Sequence, residues 1–553
     1  MLPPRSGNKH TKHGNNSVDG VSTVYEKERI TRAVHGMYNR GVSTLEILVA
    51  LAVISLSMTA VILLVFGNQS VFVDTQNNIQ ATQMAQSSLE DERALSRQDF
   101  DAVVARPELV AGIFTKKIDV EQQDAATKKV ASTISWSTNE RNLSVSLTTI
   151  LVDVSSSGGT CAGELVGDWK HPHHIDYRTE ELVSQITGTS AFGLGVSDVK
   201  VFGRKMYVAA HKGAGDNKTF YIFELAETPE EVPLYRGRVS TAPSASNPSL
   251  GAIAIAQDYA YVANATVANF TNCAQSEKCS QLQIINVSDA QNPVVLSSLK
   301  MPNVTGSGGQ AIGKALFYKK GYVYLGLVKT AAGHEFHIID VGGGGAPASP
   351  SNPIWKGSTA LGRTTNSIVV ENNYAYIVSD DNNKELSVVD ISNKSAPAPA
   401  GSFNAPGSVG FGYGYALSVS SGSALFGRSY VNNAPELYVL DTSNPTIALP
   451  VLGTKDIGTS ANPDSVNSLL VRGDLVFALT NKQFQVWNVA DWGNIYPWSA
   501  DGTTNTFIPL SSITGSSGGS GVELSCTGEY LYAAIKNQMN GNRDIISVFT
   551  SAP

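Results

Sequence analysis

Hydrophobic residues follow three different patterns along this chain. From Ile47 to Phe66, 20 residues carry no charge, and as a helix this run spans about 30 Å, the thickness of a bilayer core. Residues 70–97 contain no Gly or Pro, and their apolar and small side chains recur at helical spacing on one face: Ala81, Met84, Ala85, Ser88, Leu89 and Leu95. The pattern predicts one long helix over 42–97, membrane-spanning at first and amphipathic afterwards.

Alternating apolar and polar residues replace the helical pattern further on. Residues 129–153 alternate on both sides of the segment Asn139-Glu140-Arg141-Asn142, which is typical of two strands joined by a turn. We therefore expect a small β region over 98–153. The run Ser155-Ser156-Ser157-Gly158-Gly159 indicates a flexible linker over 154–165.

The remaining sequence repeats itself at intervals of 50–63 residues. Each repeat contains a β-run with an aromatic residue, and these residues are Tyr207, Tyr261, Tyr324, Tyr376, Phe426, Phe477 and Tyr532. A second apolar run follows each of them, often with Asp or Asn at its end, as in FHIID, LSVVD and LYVLD. Repeats of this length with about four antiparallel strands predict a β-propeller over 166–553, with about seven blades. The second run resembles the LVIVD-type repeat of bacterial surface propellers.

The Asp or Asn after the second run is most simply a turn former that accepts a hydrogen bond from its own backbone. The last repeat ends soon after its second run and lacks an outer strand. The unassigned segment 168–188 is able to supply that strand and close the ring. A Cys161–Cys526 disulfide would lock this closure, and Cys273 with Cys279 would form a second pair. Four cysteines allow three connectivities, so the sequence leaves the pairing open.

A short motif precedes the long apolar run. Arg40-Gly41-Val42-Ser43-Thr44-Leu45-Glu46 is polar up to Gly41 and then apolar, with an acid at the fifth residue after the glycine. This resembles the type IV prepilin signal. The resemblance implies cleavage after Gly41 by a prepilin peptidase, N-methylation of the new N-terminus at Val42, and a role for Glu46 in filament assembly. It also implies a pilin module of long helix and small sheet, which together with the propeller gives an α+β module followed by an all-β domain.

Residues 1–41 are then a leader peptide, and Met37 offers an internal start that shortens it. Two positions depart from the pattern: Val42 stands where many members have Phe, and Leu63 where one subclass has a helix-breaking Pro. A free amine at Val42 buried among apolar helices needs an anion, which Glu46 of a neighbouring subunit supplies, so the pair would set the stagger between helices. The alternatives are a plain signal anchor, a secretory signal peptide, and a Glu46 at the membrane interface without a partner.

Charge distribution places the parts of the chain relative to the membrane. Residues 1–41 hold seven Lys and Arg against three Asp and Glu, which gives this segment a net charge of +4. Because the whole chain has a net charge of −7, the residues after Gly41 carry a net charge of −11. The basic leader keeps the N-terminus in the cytoplasm and sends the body outward. An acidic body argues against a nucleic-acid partner.

Candidate chemical sites are few. The segment KHPHH holds His171, His173 and His174, but without an acidic or Cys neighbour we expect an exposed loop and no metal site. The segment 379–383 (SDDNN) lacks the spacing of a calcium loop. No nucleophile, base and acid occur along the sequence in the order of a known catalytic triad. We therefore expect neither an enzyme nor a cofactor.

These features predict a minor pilin of a type IV pilus-like filament, anchored in the bacterial cytoplasmic membrane before assembly and exposed on the pilus or cell surface afterwards. A propeller of this length is roughly 50 Å across by compact-domain scaling, too wide for every subunit of a tightly packed fibre to carry. Its partners would be other pilin subunits, the peptidase, the inner-membrane assembly machinery and a surface ligand that the propeller binds as an adhesin or tip protein. The alternatives are a pseudopilin-like part of a secretion or uptake filament and a membrane-anchored propeller enzyme.

Overall fold

A computed structural model describes most of the chain. The described residues are 44–98, 100–124, 127–138, 141–152, 167–186, 193–213, 217–241, 248–265, 280–302, 304, 312–330, 334–407, 412–420, 422–498, 507–515, 519–527, 530–537 and 543–552. Two compact units divide at Ile79 and Gln80, inside the helix α1 (Thr44–Gln98). The predictions for Gly41, Val42, Cys161, Cys273 and Cys279 lie outside the described residues.

The part of α1 after residue 80 packs against a small antiparallel sheet. A 3₁₀ turn (Phe100–Ala102) leads into this sheet, whose strands follow in chain order: β1 (Arg106–Ala111), β2 (Phe114–Asp124), β3 (Thr127–Thr138) and β4 (Arg141–Val152). Ala81 and Ala85 are fully buried beside Phe114 and Trp136. The helical face proposed from the sequence therefore lies against the sheet. The sheet has four strands, because 106–124 forms a further hairpin that the alternation of 129–153 did not indicate.

Seven more sheets follow among the described residues, and we number them 1 to 7. Sheets 1 to 3 comprise β6 (Gly195–Phe202), β7 (Lys205–Lys212), β8 (Phe220–Glu224) and β9 (Leu234–Val239); β10 (Leu250–Ala256), β11 (Tyr259–Asn264), β12 (Leu282–Asn286) and β13 (Val294–Leu299); and β14 (Gly313–Lys319), β15 (Tyr322–Leu327), β16 (Phe336–Asp340) and β17 (Ile354–Thr359). Each is an antiparallel meander in which neighbours in sequence are neighbours in the sheet.

Sheets 4 to 6 have the same order. They comprise β18 (Thr365–Glu371), β19 (Tyr374–Ser379), β20 (Leu386–Asp390) and β21 (Ala398–Phe403); β22 (Gly414–Ser420), β23 (Ser423–Arg428), β24 (Leu437–Asp441) and β25 (Val451–Lys455); and β26 (Val466–Arg472), β27 (Leu475–Thr480), β28 (Gln483–Asn488), β29 (Tyr496–Pro497) and β30 (Ile508–Pro509). In sheet 6, the short strands β29 and β30 both pair with β28.

Sheet 7 joins two distant parts of the chain. Its strands are β31 (Gly519–Thr527), β32 (Tyr530–Asn537), β33 (Ile545–Ala552) and, as the outer strand, β5 (Asp168–Arg178). Two short helices, α2 (Thr179–Ser184) and α3 (Leu510–Thr514), lie next to it in sequence. The prediction that segment 168–188 supplies the missing outer strand is confirmed by the antiparallel pairing of β5 with β33.

The innermost strands of the seven sheets contact one another in chain order, and β31 contacts β6 to complete the cycle. A separate apolar cluster fills each junction between successive sheets. The repeated aromatic residues are all nearly fully buried in these clusters, where large side chains contribute most to the hydrophobic effect. The described residues therefore form a closed, propeller-like ring of antiparallel sheets.

The residue that ends each third strand makes the expected turn. Asn286, Asp340, Asp390, Asp441 and Asn488 each accept a hydrogen bond at the side-chain oxygen from the backbone N–H two residues later, at 2.8–3.1 Å. This prediction is confirmed. The turn redirects the chain from the third strand toward the outer one.

A second recurring device was missed by the sequence reasoning. The residue directly before the third strand is a buried acid or amide in five sheets: Gln281, Glu335, Glu385, Glu436 and Asp544. The first four accept hydrogen bonds from backbone N–H groups on the connection to the next sheet, at 2.7–3.0 Å. Asp544 accepts the N–H of Val196, at the start of β6, at 2.7 Å. The sequence contains a signal for these residues, a Glu or Gln directly before the apolar run of the third strand, as in HEFHIID, KELSVVD and PELYVLD.

Candidate functional site: the apolar helix and the central channel

The first part of α1 is an apolar surface without cover. Residues Thr44–Leu63 have a mean hydropathy of 2.4, and none of the window is buried. This is one helix long and apolar enough to cross a membrane, which on its own is weak evidence for an anchor. Its hydroxyls bond within the helix: Ser57 donates to the Val53 carbonyl and Thr59 to the Ser55 carbonyl, both at 2.7 Å. Polar side chains satisfied in this way are compatible with an apolar surrounding.

Glu46 is the predicted assembly residue that the structure describes. It lies in the first turn of α1 and is exposed. A carboxylate at a helix N-terminus interacts favourably with the partial positive charge of the unpaired N–H groups. Its predicted partner, the amine of Val42 in a neighbouring subunit, lies outside the described residues.

The central channel is the second candidate site. A cavity of about 620 Å³ is lined by the innermost strands of the seven sheets. Each innermost strand has a register shift near its start, where one extra residue forms a β-bulge. The extra residues all line the cavity: Ser197, Gly251, Lys314, Asn366, Tyr415, Asn467 and Val522. Because bulges redirect side chains and are frequent beside binding sites, we call this set the bulge ring.

Lys314 is the single charged member of the bulge ring. Its side chain is exposed to the channel space, yet the surrounding wall removes enough solvent that burial lowers the pKa of its ammonium group. Across the ring, burial raises the pKa of the Tyr415 phenol, and nearby Tyr413 and Asp380 add to the effect. Lys314 and Tyr415 therefore place an amine and a phenol in the bulge ring.

A charged cluster lies deeper along β6. The Lys200 Nζ is 3.0 Å from Asp198 Oδ1 and 2.9 Å from Glu523 Oε1, and Asp198 Oδ2 accepts the Ile253 N–H at 2.7 Å. Burial raises the pKa of Asp198 to about 7, although Lys200 opposes this. Burial lowers the pKa of Lys200, but the Asp198 and Glu523 carboxylates outweigh it and the net direction is upward. The cluster joins sheets 1, 2 and 7 at the channel wall.

The histidine cluster lies on a strand. His171, His173 and His174 belong to β5, so the expectation of an exposed loop around Pro172 is wrong. Proline is tolerated there because β5 is the outer strand of sheet 7, where an N–H can face away from the ladder. The expectation that no acidic residue lies near the histidines is also wrong, since the Nδ1 atom of His171 is 3.3 Å from Asp168 Oδ2 and that of His174 is 3.0 Å from Asp176 Oδ1. Within the described ranges, no group of three His, Cys, Asp or Glu residues is placed to hold a metal ion.

Cys526 lies in β31 and is fully buried. It is not a free thiol. Its partner is outside the described residues, so the pairing with Cys161 stays a prediction, as does the pair Cys273–Cys279.

Comparison with known proteins gives one family match. The LVIVD repeat model matches residues 362–405, which contain all four strands of sheet 4. The predicted resemblance to that repeat is confirmed for this segment. No curated protein matches the chain.

Three solved structures are similar to this chain. Hsv2 of Kluyvelomyces marxianus is 7% identical with a TM-score of 0.34, over 67% of this chain and 92% of that one. Sqt1 of Saccharomyces cerevisiae is 9% identical with a TM-score of 0.42, over 70% and 100%. The CNH domain of AfRom2 is 10% identical with a TM-score of 0.33, over 65% and 95%.

Proposed function

We propose that this chain is a minor subunit of a type IV pilus-like filament that presents a seven-bladed propeller for binding to a surface or partner. The observation that carries the proposal is the division of α1 into two parts. Residues 44–63 are apolar and uncovered, whereas Ala81, Ala85 and Leu89 pack on a four-stranded antiparallel sheet. The resemblance to pilins implies the same arrangement, in which one half of the long helix contacts neighbouring subunits and the other half is covered by a small sheet.

Glu46 supports the same proposal. A carboxylate next to an uncharged span costs several kcal/mol in a membrane unless it is paired. In a filament of such subunits, the amine of Val42 created by cleavage after Gly41 is the partner that the prepilin resemblance supplies. The subunit would wait in the cytoplasmic membrane with its N-terminus inside, and the assembly machinery would then move it into the fibre.

The test is N-terminal peptide analysis and intact mass of the chain co-expressed with a prepilin peptidase. We expect a mature chain that starts at methylated Val42. The substitution Gly41→Ala should abolish cleavage, whereas Gly36→Ala in the same leader should not. An uncut wild-type chain would overturn the proposal and leave a signal-anchored propeller. The mass of the released or uncut leader also shows whether translation starts at Met1 or Met37.

The enzyme alternative rests on the channel. Lys200, Asp198 and Glu523 are residue types used in acid–base catalysis, and they share the cavity with Lys314. Lys200 is held between two carboxylates, which favours a structural role at the junction of the sheets. We propose a binding role without turnover. Product formation from a bound ligand, lost in Lys314→Met, would overturn it.

A further inference from the structure

A cavity of 930 Å³ lies at the other end of the innermost strands from the bulge ring. It is bordered by the hairpins that join β10 to β11, β14 to β15 and β18 to β19, together with parts of the loops that follow β16 and β20. Sheets 2, 3 and 4 thus contribute to one concave surface. We call it the tyrosine cavity.

Aromatic rings form much of its wall. Five tyrosines line it: Tyr259, Tyr261, Tyr318, Tyr322 and Tyr324. The rings of Tyr318 and Tyr261 stack with centroids 5.0 Å apart, and the Tyr318 hydroxyl accepts the Gly321 N–H at 3.1 Å. Tyr318 and Tyr322 are only half-buried. Tyr259 is half-buried as well, whereas Tyr261 and Tyr324 are nearly fully buried. Three rings, each with an apolar face and a polar edge, are therefore partly accessible at the cavity.

The three hairpins share the positive φ that is usual for a two-residue loop, but the residues that adopt it are not glycines. Gln257, Lys320 and Asn372, the first loop residues, have φ of 53°, 48° and 52°. Glycine occupies the same hairpin position in sheets 1 and 6, as Gly203 (φ 60°) and Gly473 (φ 55°). A positive φ is readily adopted by glycine and uncommon for Gln or Lys. Three adjacent hairpins therefore keep a residue with a side chain where two other hairpins have glycine. The backbone is strained at Gln257 and Lys320, whereas asparagine adopts a positive φ more readily, and such strain clusters at functional sites.

All three of these residues line the tyrosine cavity. Gln257 and Asn372 add amide groups that both donate and accept hydrogen bonds. The cavity is also cationic: Lys319, Lys320 and Lys394 line it, and the Lys394 Nζ lies 4.7 Å from the centroid of the Tyr322 ring. This concentration of lysines stands out in a chain of net charge −7, and it favours an anionic ligand.

We propose that the tyrosine cavity binds an acidic saccharide, one that carries carboxylate or sulfate groups. A sugar ring has an apolar C–H face that fits against tyrosine and a rim of hydroxyls that matches amide groups. Carboxylate or sulfate groups on the sugar would be attracted by the positive charge of the lysines. This inference deepens the proposed binding role and rests on it for its biological setting, but the site stands on the geometry of sheets 2 to 4 alone.

The experiment measures binding of the full-length protein in detergent micelles to polygalacturonate, alginate and dextran sulfate. Unsubstituted dextran is the neutral probe, and poly-L-glutamate is the acidic polypeptide probe. We expect binding to at least one acidic polysaccharide and none to dextran. Lys320→Gly and Asn372→Gly should each weaken binding at least tenfold. Their melting temperatures should stay level or rise, because glycine relieves the positive φ.

The matched control is Asn433→Gly. Asn433 has a φ of 61° and is exposed, but it does not line the cavity, so this variant should bind like the wild type. Failure to bind any acidic polysaccharide, equal binding to dextran, or stronger binding to poly-L-glutamate would each overturn the proposal. Loss of binding with normal processing at Val42 would leave the pilin proposal standing. If the chain binds acidic polysaccharide but is not cleaved by the peptidase, the proposal for the tyrosine cavity would hold and the proposal of a filament subunit would be overturned.

Discussion

Single carboxyl groups differ widely in their surroundings along this chain. Glu46 lies exposed at the start of an apolar helix, whereas Glu335, Glu385 and Glu436 are fully enclosed between sheets. The enclosed acids accept N–H donors from the connection to the next sheet. Burying an acid is tolerated when its oxygens are hydrogen-bonded, so these residues can fix the connections between successive sheets.

The first residue-scale prediction concerns Glu46→Gln. We expect the variant to be cleaved after Gly41 but incorporated into filaments at least about tenfold less, because a buried ammonium without its partner costs about 3–5 kcal/mol. Immunoblots of sheared filaments and of membranes measure the two pools. Glu90→Gln, an exposed position on the same helix, is the control and should assemble normally. Normal assembly of Glu46→Gln would contradict the proposed pairing with Val42.

The second residue-scale prediction concerns the effect of pH on stability through Glu436. Burial raises the pKa of Glu436 from its usual value near 4.5 to about 7, although the N–H groups of Gly458, Ile457 and Val431 oppose the shift. Because the folded state holds the proton more tightly than the unfolded state, this contribution to stability is present below pH 4.5 and is lost as pH rises through 7. Denaturant titrations at pH 4.5 and 8 measure the loss.

The comparison variant is Glu436→Gln, which has no titrating group. Between pH 4.5 and 8 the free energy of unfolding of the wild type should fall relative to the variant by about 1–3 kcal/mol, the value expected for a shift of this size. Gln281 shows that an amide works at the equivalent position, since its Oε1 accepts the Met301 N–H at 2.7 Å. A constant difference across this pH range would refute the prediction.

At the scale of elements, the strand β5 decides whether the ring is closed. Trp169, at its start, is 1% exposed and meets the Phe477 ring of sheet 6 edge-on at 4.9 Å. It therefore anchors the outer strand of sheet 7 to the neighbouring sheet as well as to its own.

We expect Trp169→Ala to reduce the free energy of unfolding by about 3–5 kcal/mol, the usual cost of removing a large aromatic side chain from a core. His171→Ala changes an exposed residue two positions along the same strand and should cost no more than about 1 kcal/mol, since it loses only a surface contact with Asp168. Chemical denaturation of both variants measures the two costs. Equal costs would mean that β5 is not held by its buried face.

The elements differ in how far the sequence predicts them. The repeated aromatic strands and the Asp or Asn turns were readable because burial and side-chain-to-backbone bonds leave a periodic residue signature. The strands β1 and β2 were missed, since RPELVA and FTKKIDVEQQD mix charged residues on the open face with few apolar ones. The bulge at Lys314 and the positive φ at Lys320 have no residue signature, because these lysines look like ordinary strand and turn residues until the register is known.

At the scale of the whole molecule, covalent links matter because the ring is closed by residues far apart in sequence. The disulfide pattern can be read by peptide mapping under non-reducing conditions. We expect one peptide pair joining Cys161 to Cys526 and another joining Cys273 to Cys279. A cross-pair between the two sets would contradict the idea that one disulfide locks the closure of the ring.

The pairing of β5 with β33 has a consequence for synthesis of the chain. Ser547 donates to Asp176 at 2.7 Å across a separation of 371 residues, so β5 cannot pair with β33 until the ribosome has made the intervening six sheets. A nascent chain held by the ribosome exposes the unpaired edges of sheet 7 until then. A product stopped early by a nonsense codon or cut by a protease before residue 545 leaves that strand without its neighbour. Closure of the ring therefore depends on synthesis through β33, and a chain that lacks this strand exposes an unpaired strand edge of the kind that favours aggregation.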